Sequence, residues 1–560
     1  MGRPSNVKPA RTGTSRRDFF KRSGSAAVAI TAVPMLGFGS DASAAAANAV
    51  FQHGVASGDP LADRVILWTR ASPIGTRSAT VVDYVVATDP ALSVVVAKGS
   101  TKTNVLRDFT VKVDVAGLQP NTTYYYRFTA DGAQSPTGRT KTLPVGAARQ
   151  LRMAVVSCSN FAYGYFNVYQ RIAERADLDM VVHLGDYIYE YASGQYGNVR
   201  PCEPANEIVT LADYRARHAQ YKRDENSQAM HRQHPLVAIW DDHETANNAW
   251  VGGAQNHTPA TEGAWAARVA AALQAYYEWM PTRVVDASMP RRNERSYAYG
   301  NLVDLIMLEQ RVSGRSEQLD TNIGSASGYF TQTGAYADPV RQLLGADQET
   351  WLFSKLRSST AKWKFLGQGV MFAQLKVAAA PNAAGGGVFL NSDQWDGYQP
   401  ARNRVYEVLK GSAGQAPVGN VVVLTGDIHS SWAADLTPDP NNPNPATGGY
   451  DPSTGEGSLA VEFVGTSVSS PGVNDPNSTV ANSLKPANPH FKYIDLFRRG
   501  YMLIDADASR CVCEWWHIDT VASLSNIETF AVAYEVRDGS NRLAPSVQTP
   551  SRMNPPVLAP

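Results

Sequence analysis

Cys158, Asp186, Tyr189, Asp242, Asp427 and His429 are side chains of metal-binding type, and each stands just beyond a short apolar run. Asp186 and Tyr189 are three residues apart, which brings them together if the chain turns helically after its strand. Asp427 and His429 are two apart and share a face if their strand continues. A thiolate, a phenolate and a carboxylate carry one negative charge each, enough to balance a trivalent ion, and an imidazole completes such a set. Sulfur and phenol donors suit ferric iron (Fe3+) better than magnesium or calcium, which prefer shells of oxygen alone. Asp242 and Asp427 are left for one or two harder divalent ions beside it, with Asp186 as the natural bridge.

A cluster of this kind carries out hydrolysis. A trivalent ion acidifies bound water until hydroxide is available near neutral pH. Adjacent divalent ions neutralise a phosphate and the oxygens that attack and leave. His243 is placed to give a hydrogen bond or a proton to the leaving oxygen. Arg311, Arg402 and Arg404 are candidates to clamp the non-bridging phosphate oxygens. Singly, each piece has a plainer use: Gly-Asp as a turn, Asp-Asp-His-Glu as a helix start, a lone cysteine as core. Their joint occurrence, in order and each at a strand end, points to one polynuclear site. The remaining histidines, among them His183 and His231, read as packing or surface.

Four strands must deliver these residues. The runs Leu151-Arg152-Met153-Ala154-Val155-Val156, Met180-Val181-Val182-His183-Leu184, Leu236-Val237-Ala238-Ile239-Trp240 and Val421-Val422-Val423-Leu424 read as buried strands. In layered α/β folds, ligands collect beyond the carboxyl ends of such strands. Helices are expected at 167–174, 211–223 and 264–279, and further strands at 301–308, 363–366 and 458–464. That alternation means a layered α/β domain, placed at 150–535 with a tail at 536–560. Residues 45–145 read instead as an all-β module. Within it, Leu118-Gln119-Pro120-Asn121-Thr122-Thr123-Tyr124-Tyr125-Tyr126 resembles the tyrosine corner of fibronectin type III and immunoglobulin-like sandwiches. Residues 140–149 read as a linker, and 438–457, rich in Pro, Asn and Gly, as a surface loop.

The 51 basic and 51 acidic residues balance to zero, with no long run of one sign, so composition offers no electrostatic case for nucleic-acid binding. The 4 cysteines are too few for a disulfide-built fold. A bond between Cys511 and Cys513 would be strained, and either has Cys202 as an alternative partner, while Cys158 is left free as a thiolate. At the start, Ser15-Arg16-Arg17-Asp18-Phe19-Phe20-Lys21, an apolar stretch at 26–36 and Ala42-Ser43-Ala44 form a twin-arginine signal peptide over 1–44. The apolar stretch is too short to span a bilayer, and no other segment approaches a span. The expected location is extracytoplasmic, periplasmic or extracellular, with the twin-arginine translocon as partner during export. That route carries folded chains, which suits a metal loaded before export.

Gly185-Asp186-x-x-Tyr189, Asp242-His243-Glu244 and Gly426-Asp427-x-His429 resemble the metallophosphoesterase motifs, and the tyrosine is similar to the purple-acid-phosphatase branch. Closer still is the alkaline phosphatase D (PhoD-like) family, which includes secreted phospholipase D-type relatives. That resemblance runs through Phe51-Gln52-His53-Gly54-Val55-Ala56-Ser57-Gly58-Asp59-Pro60, Ser157-Cys158-Ser159, Trp240-Asp241-Asp242-His243-Glu244 and Asp393-Gln394-Trp395-Asp396-Gly397-Tyr398 to Arg498-Arg499-Gly500-Tyr501. It implies a four-layer α/β/β/α metallophosphoesterase sandwich behind a fibronectin III/Ig-like N-terminal domain. It also implies a secreted phosphatase or phosphodiesterase with ferric iron and calcium (Ca2+). By the resemblance, Cys158, Asp186, Tyr189 and His429 hold iron, and Asp186 bridges to calcium near Asp242, Asp427 and Asn247 or Asn248. Leu308-Glu309-Gln310-Arg311 departs from the family, whose members often carry Asp-Thr before the arginine.

The expected activity is hydrolysis of phosphomonoesters and phosphodiesters at neutral to alkaline pH. The alternatives are a phospholipase D-type phosphodiesterase acting on phospholipid head groups and a non-catalytic phosphate-binding envelope protein. Zero net charge and the lack of an amphipathic membrane helix lend the phospholipid reading no separate support.

Overall fold

Side-chain alternation along the apolar runs decides the layers. In the strand Gln150–Val156, Leu151, Met153 and Val155 enter one buried cluster and Ala154 and Val156 another. The strands Met180–His183 and Pro235–Ala238 divide the same way, with Met180, Val182 and Val237 in the first cluster and Val181, Leu236 and Ala238 in the second. Val421–Thr425 sends Val422 and Leu424 into that same first cluster, and Val421 and Val423 into a third. Strands apolar on both faces are covered on both faces. The first cluster therefore lies between two sheets. The second packs under the helices Asn167–Ala173, Leu211–Arg223 and Trp265–Trp279, and the third under Ala346–Ser358 and Gln399–Lys410.

The computed structural model describes residues 50–73, 75–320 and 328–560. The signal-peptide segment 1–44 lies outside them. The larger sheet runs Leu543–Ser546, Glu528–Arg537, Arg510–Ile518, Arg499–Asp507, Gln150–Val156, Met180–His183, Pro235–Ala238, Val55–Gly58, Arg64–Arg70, Thr110–Ala116. The second runs Arg295–Tyr299, Val303–Met307, Trp363–Gln368, Val421–Thr425, Ala460–Val464, Ser431–Leu436, Phe491–Asp495. The strands that carry the candidate ligands are parallel to their neighbours on the way in: Met180–His183 with both Gln150–Val156 and Pro235–Ala238, and Val421–Thr425 with Trp363–Gln368. Their carboxyl ends thus open on one side of each sheet.

The helices form where the sequence places them, for local reasons. Thr210 and Asp213 close a capping box at the start of Leu211–Arg223. Trp265–Trp279 buries Val269, Ala272, Leu273 and Tyr276, a stripe spaced for one helix face.

Two domain boundaries differ from expectation. The 45–145 module is not joined by a linker alone. Its strand Val55–Gly58 pairs in parallel with Pro235–Ala238, in the register Ser57 to Pro235 and Gly58 to Leu236. Val55–Gly58, Arg64–Arg70 and Thr110–Ala116 thereby extend the larger sheet, and the module's other strands form a separate sheet around Ala79–Ala87 and Thr123–Ala130. The tyrosine-corner contact is present: the Gln119 N–H donates to the Tyr124 hydroxyl at 2.8 Å.

The segment 536–560 is not a tail. The strand Glu528–Arg537 crosses its boundary, and Leu543–Ser546 covers the sheet edge. Farther on, Arg552 reaches Asp179 at 2.6 Å, the Tyr125 hydroxyl donates to the Val557 carbonyl at 2.6 Å, and Ala559 is buried and bonded to Gln233. Cys158, Cys202, Cys511 and Cys513 are all free thiols, and Cys511 and Cys513 share the face toward the inter-sheet cluster. No helix among the described residues is long and apolar enough to cross a membrane.

Candidate metal centre

Three of the four apolar strands run into backbone that a strand cannot continue. Cys158, Asp186, Asp427 and His429 have φ values of 63°, 56°, 63° and 56°. This is the left-handed region, which costs a non-glycine residue on the order of 1 kcal/mol or more and collects at functional sites. The expected helical turn after Met180–His183 is therefore a bend. Asp186 and Tyr189 meet all the same, with the phenol oxygen 3.0 Å from Asp186 Oδ2. The strand Val421–Thr425 likewise stops before Asp427, so Asp427 and His429 do not share a strand face. The left-handed residues on either side of Ile428 turn them toward different groups of donors.

Among the described residues those groups are three, all buried. Donor atoms of Cys158, Asp186 and His429 lie within 4.8 Å of one another, as do those of Asp186, Asp242 and His243, and those of Asp241, Asp242 and Asp427. Asp186 belongs to the first two, and Asp242 to the last two. The Tyr189 oxygen joins the first group, 3.2 Å from His429 Nε2. His429 Nδ1 lies 2.8 Å from the Pro471 carbonyl oxygen, which it serves as a donor, so Nε2 is the lone-pair nitrogen and faces the group. The Ser470 hydroxyl donates to the Tyr189 oxygen at 2.7 Å.

Electrostatics show what such a pocket needs. Burial, and then the Asp186 carboxylate, push the Cys158 thiol and the Tyr189 phenol well above their usual ranges. Burial also raises Asp241, with Arg311 opposing and Asp242 and Asp427 adding to it. Acids this crowded and this dry ionise together only around cations. The donor set fits a softer cation on the thiol side and a harder one among the carboxylates.

His243 is set apart from its neighbours by Glu190. Its Nδ1 lies 2.6 Å from Glu190 Oε2, and its ring centroid is 4.2 Å from that of Tyr189. Burial works against its charge. The carboxylates of Glu190, Asp242 and Asp186 outweigh that and raise its pKa to about 10. Glu244 organises the backbone nearby: its carboxylate accepts the N–H groups of Asp186, Tyr187 and Asp241 at 3.1, 2.6 and 2.9 Å.

The arginines separate clearly. Arg311 is fully buried in the centre, but its guanidinium is held by Asp241, by Asp393 at 3.0 Å and by Asp427 at 2.9 Å. Arg402 pairs with Asp396 and Arg404 with Glu349, outside the donor groups. The Glu309-Gln310 departure has a structural use. Glu309 Oε1 accepts the N–H groups of Arg311 and Val312 and the Trp240 indole N–H, each at 2.8 Å, while the Gln310 amide bridges Gln368 and the Val370 N–H. Asn247 gives its backbone N–H to Glu190 and its side-chain amide to Gln255. Asn248 gives its N–H to Asp242 Oδ2 at 2.6 Å, and its buried Oδ1 has no hydrogen-bond partner among the described residues.

With this geometry in place, comparison with known proteins is informative. A family model described as PhoD-like phosphatase matches residues 153–515, and a model of that family's N-terminal domain matches 38–144. The chain belongs to the PhoD-like phosphatase family. This PhoD-like phosphatase is 38% identical over 468 residues to alkaline phosphatase D of Bacillus subtilis (strain 168), across 81% of this chain and 75% of that protein. A solved structure titled "Structure of PhoD" matches with a TM-score of 0.78 at 34% identity, covering 89% of this chain and 92% of that one. The family makes the chain a phosphatase, hence a hydrolase acting on phosphate esters.

The PhoD-like phosphatase brings together the six residues that open the sequence argument, along with His243 and Arg311. Asp241, Glu190, Ser470 and Pro471 are the additions. Asp241 was visible as the first of two adjacent aspartates. Glu190 follows directly on Tyr189 but has no spacing signal of its own. Ser470 and Pro471 act through a hydroxyl and a backbone carbonyl, which leave no motif. His183 and His231 are packing residues, buried and also hydrogen-bonded, His183 to Tyr169 at 3.0 Å and His231 to both Tyr187 and Lys222 at 2.8 Å.

Proposed function

We propose that this PhoD-like phosphatase is an exported enzyme that hydrolyses phosphomonoesters and phosphodiesters at a centre of ferric iron and calcium. The observation that carries the reading is the convergence of Cys158, Asp186 and His429 donor atoms within 4.8 Å, with the Tyr189 oxygen 3.0 Å from Asp186. A thiol, a phenol, an imidazole and a carboxylate suit ferric iron; Asp242, Asp427 and Asp241, with the Asn248 carboxamide rather than that of Asn247, suit one or two calcium ions. When bound, these ions supply an acidified water as nucleophile and neutralise charge on the phosphate.

The chain's own groups do the rest. Asp186 belongs to both sides and sets their spacing. Glu190 keeps His243 protonated, ready to give its proton to the leaving oxygen. Arg311 aligns Asp241 and Asp427 rather than gripping substrate. The three core clusters support the four-layer α/β/β/α sandwich, and the Tyr124 contact supports an Ig-like origin for the N-terminal strands. The twin-arginine pattern at 15–21 supports export in the folded, metal-loaded state.

The test is elemental analysis of exported protein together with rates on p-nitrophenyl phosphate, bis-p-nitrophenyl phosphate and phosphatidylcholine vesicles. Iron with calcium, and turnover of both nitrophenyl esters, is the expected result. Protein without iron, or turnover of the vesicles alone, would overturn it.

A further inference from the structure

The notable arginine of the site's rim is Arg499. It opens the strand Arg499–Asp507, which runs antiparallel to Gln150–Val156 with Met502 opposite Val155. Arg499 therefore stands at the end of the sheet where Cys158 leaves it. Ser467 and Val468 tie the two strands there: the Gly500 N–H donates to the Ser467 carbonyl at 3.1 Å, and the Val468 N–H to the Ser157 carbonyl at 2.9 Å.

The guanidinium rests on the loop that holds the iron-side ligands. A Cβ on Gly472 would lie 2.5 and 2.6 Å from Arg499 Nη1 and Nη2, so the guanidinium lies directly against the Gly472 backbone. One residue earlier, the Pro471 carbonyl receives His429, and before it Ser470 donates to Tyr189. Tyr163 and Tyr196 lie near Arg499. The Tyr196 ring is 5.8 Å from the Tyr189 ring and 6.3 Å from that of His243.

Arg499 is also short of a counter-charge. Arg152, Arg268, Arg311, Arg315 and Arg402, all buried, each have a carboxylate. Among the described residues, Arg499 donates only to the carbonyls of Phe497 and Arg498, and its buried Nε has no partner. The carboxylate nearest in influence, Asp495, is taken by Arg498 at 2.7 Å and by the N–H groups of Phe497 and Arg498. A partly exposed guanidinium with no carboxylate partner is open to an anion, and its planar fork of donors matches a phosphate.

We propose that Arg499 is the anion receptor of the centre, its guanidinium taking an anionic oxygen of the bound phosphate ester. The proposal rests on the phosphatase reading above and answers which arginine meets the substrate. Arg311, Arg402 and Arg404 are each committed to carboxylates, and Arg499 is not.

The experiment uses the metal-loaded full chain as wild type, Arg499→Ala, Arg499→Lys and Arg498→Ala. Inorganic phosphate is titrated calorimetrically, and KM and kcat are measured on p-nitrophenyl phosphate. Arg499→Ala should weaken phosphate binding and raise KM by roughly 10-fold or more, as for loss of a charged hydrogen bond. Its iron and calcium content should be unchanged, Arg499→Lys should recover part of the loss, and Arg498→Ala should match wild type. Phosphate affinity and KM within about twofold of wild type in Arg499→Ala would overturn the proposal, as would loss of metal from both Arg499 variants. Phosphate binding that depends on Arg499 without turnover by wild type would sink the activity reading and leave the receptor standing.

Discussion

His429 Nδ1 sits 2.8 Å from the Pro471 carbonyl, and its Nε2 is 3.2 Å from the Tyr189 oxygen. The ring is thus fixed by backbone on one side and presented to the Cys158 group on the other. Loss of any donor in that group should release the ion it helps to hold. Cys158→Ala is expected to lower kcat by about 100-fold or more and to lose most of its iron by elemental analysis. Tyr189→Phe should lose the visible absorption of an iron-bound phenolate. A Tyr189→Phe protein that kept the band would remove Tyr189 from the ligand set.

The proton on His243 depends on Glu190. Raised to about 10, the imidazole stays charged at neutral and moderately alkaline pH and loses its proton only as pH climbs through that value. In Glu190→Gln the main supporting charge is gone. The alkaline limb of kcat/KM should move to lower pH by roughly 1 to 3 units, and activity at neutral pH should fall by about 10-fold or more. A pH profile unchanged from wild type would show that His243 gives no proton.

Arg311 is expected to matter for stability more than for substrate affinity. Arg311→Met leaves Asp241, Asp393 and Asp427 without their shared cation, a change that costs about 3–5 kcal/mol when a buried pair is broken. Denaturant unfolding in chelator should show the loss, and added calcium should restore part of it. A variant as stable as wild type in chelator would mean that the carboxylates are already neutral.

Asp179 predicts acid sensitivity at the far end of the sheet. Burial raises its pKa, but Lys141 and Arg552 hold it down to about 2. Because its folded value lies below its unfolded 3.8, it stabilises above pH 3.8 and that stabilisation is lost as pH falls from there through about 2. The effect is worth roughly 2 kcal/mol. Arg552→Ala should lower the melting temperature most near neutral pH, and the gap to wild type should shrink as pH falls from 3.8 toward about 2, as followed by circular dichroism.

Much of this was legible before any coordinates. Period-two apolar runs such as Leu151, Met153 and Val155 against Ala154 and Val156 announce a strand covered on both faces, and the chemistry-bearing residues follow each run directly. What the sequence left open was conformation at the strand ends. The left-handed φ values of Asp427 and His429 assign the two to different donor groups, and spacing alone had put them on one face. Strand order was also beyond it, since nothing in Val55-Ala56-Ser57-Gly58 says that its neighbour begins at Pro235. Arg311, read from its place after a strand as a clamp on phosphate, lies at the centre, but its partners lie far along the chain at Asp241, Asp393 and Asp427, which no local pattern reveals.

The parallel ladder between Val55–Gly58 and Pro235–Ala238 has a further consequence. A fragment cut at the seam between the two family-model matches would bare a raw row of amides and carbonyls along residues 235–238, an edge inviting self-association. The N-terminal strands, for their part, must wait for distant sequence before they can dock, so closure of this sheet is a late and long-range event in folding.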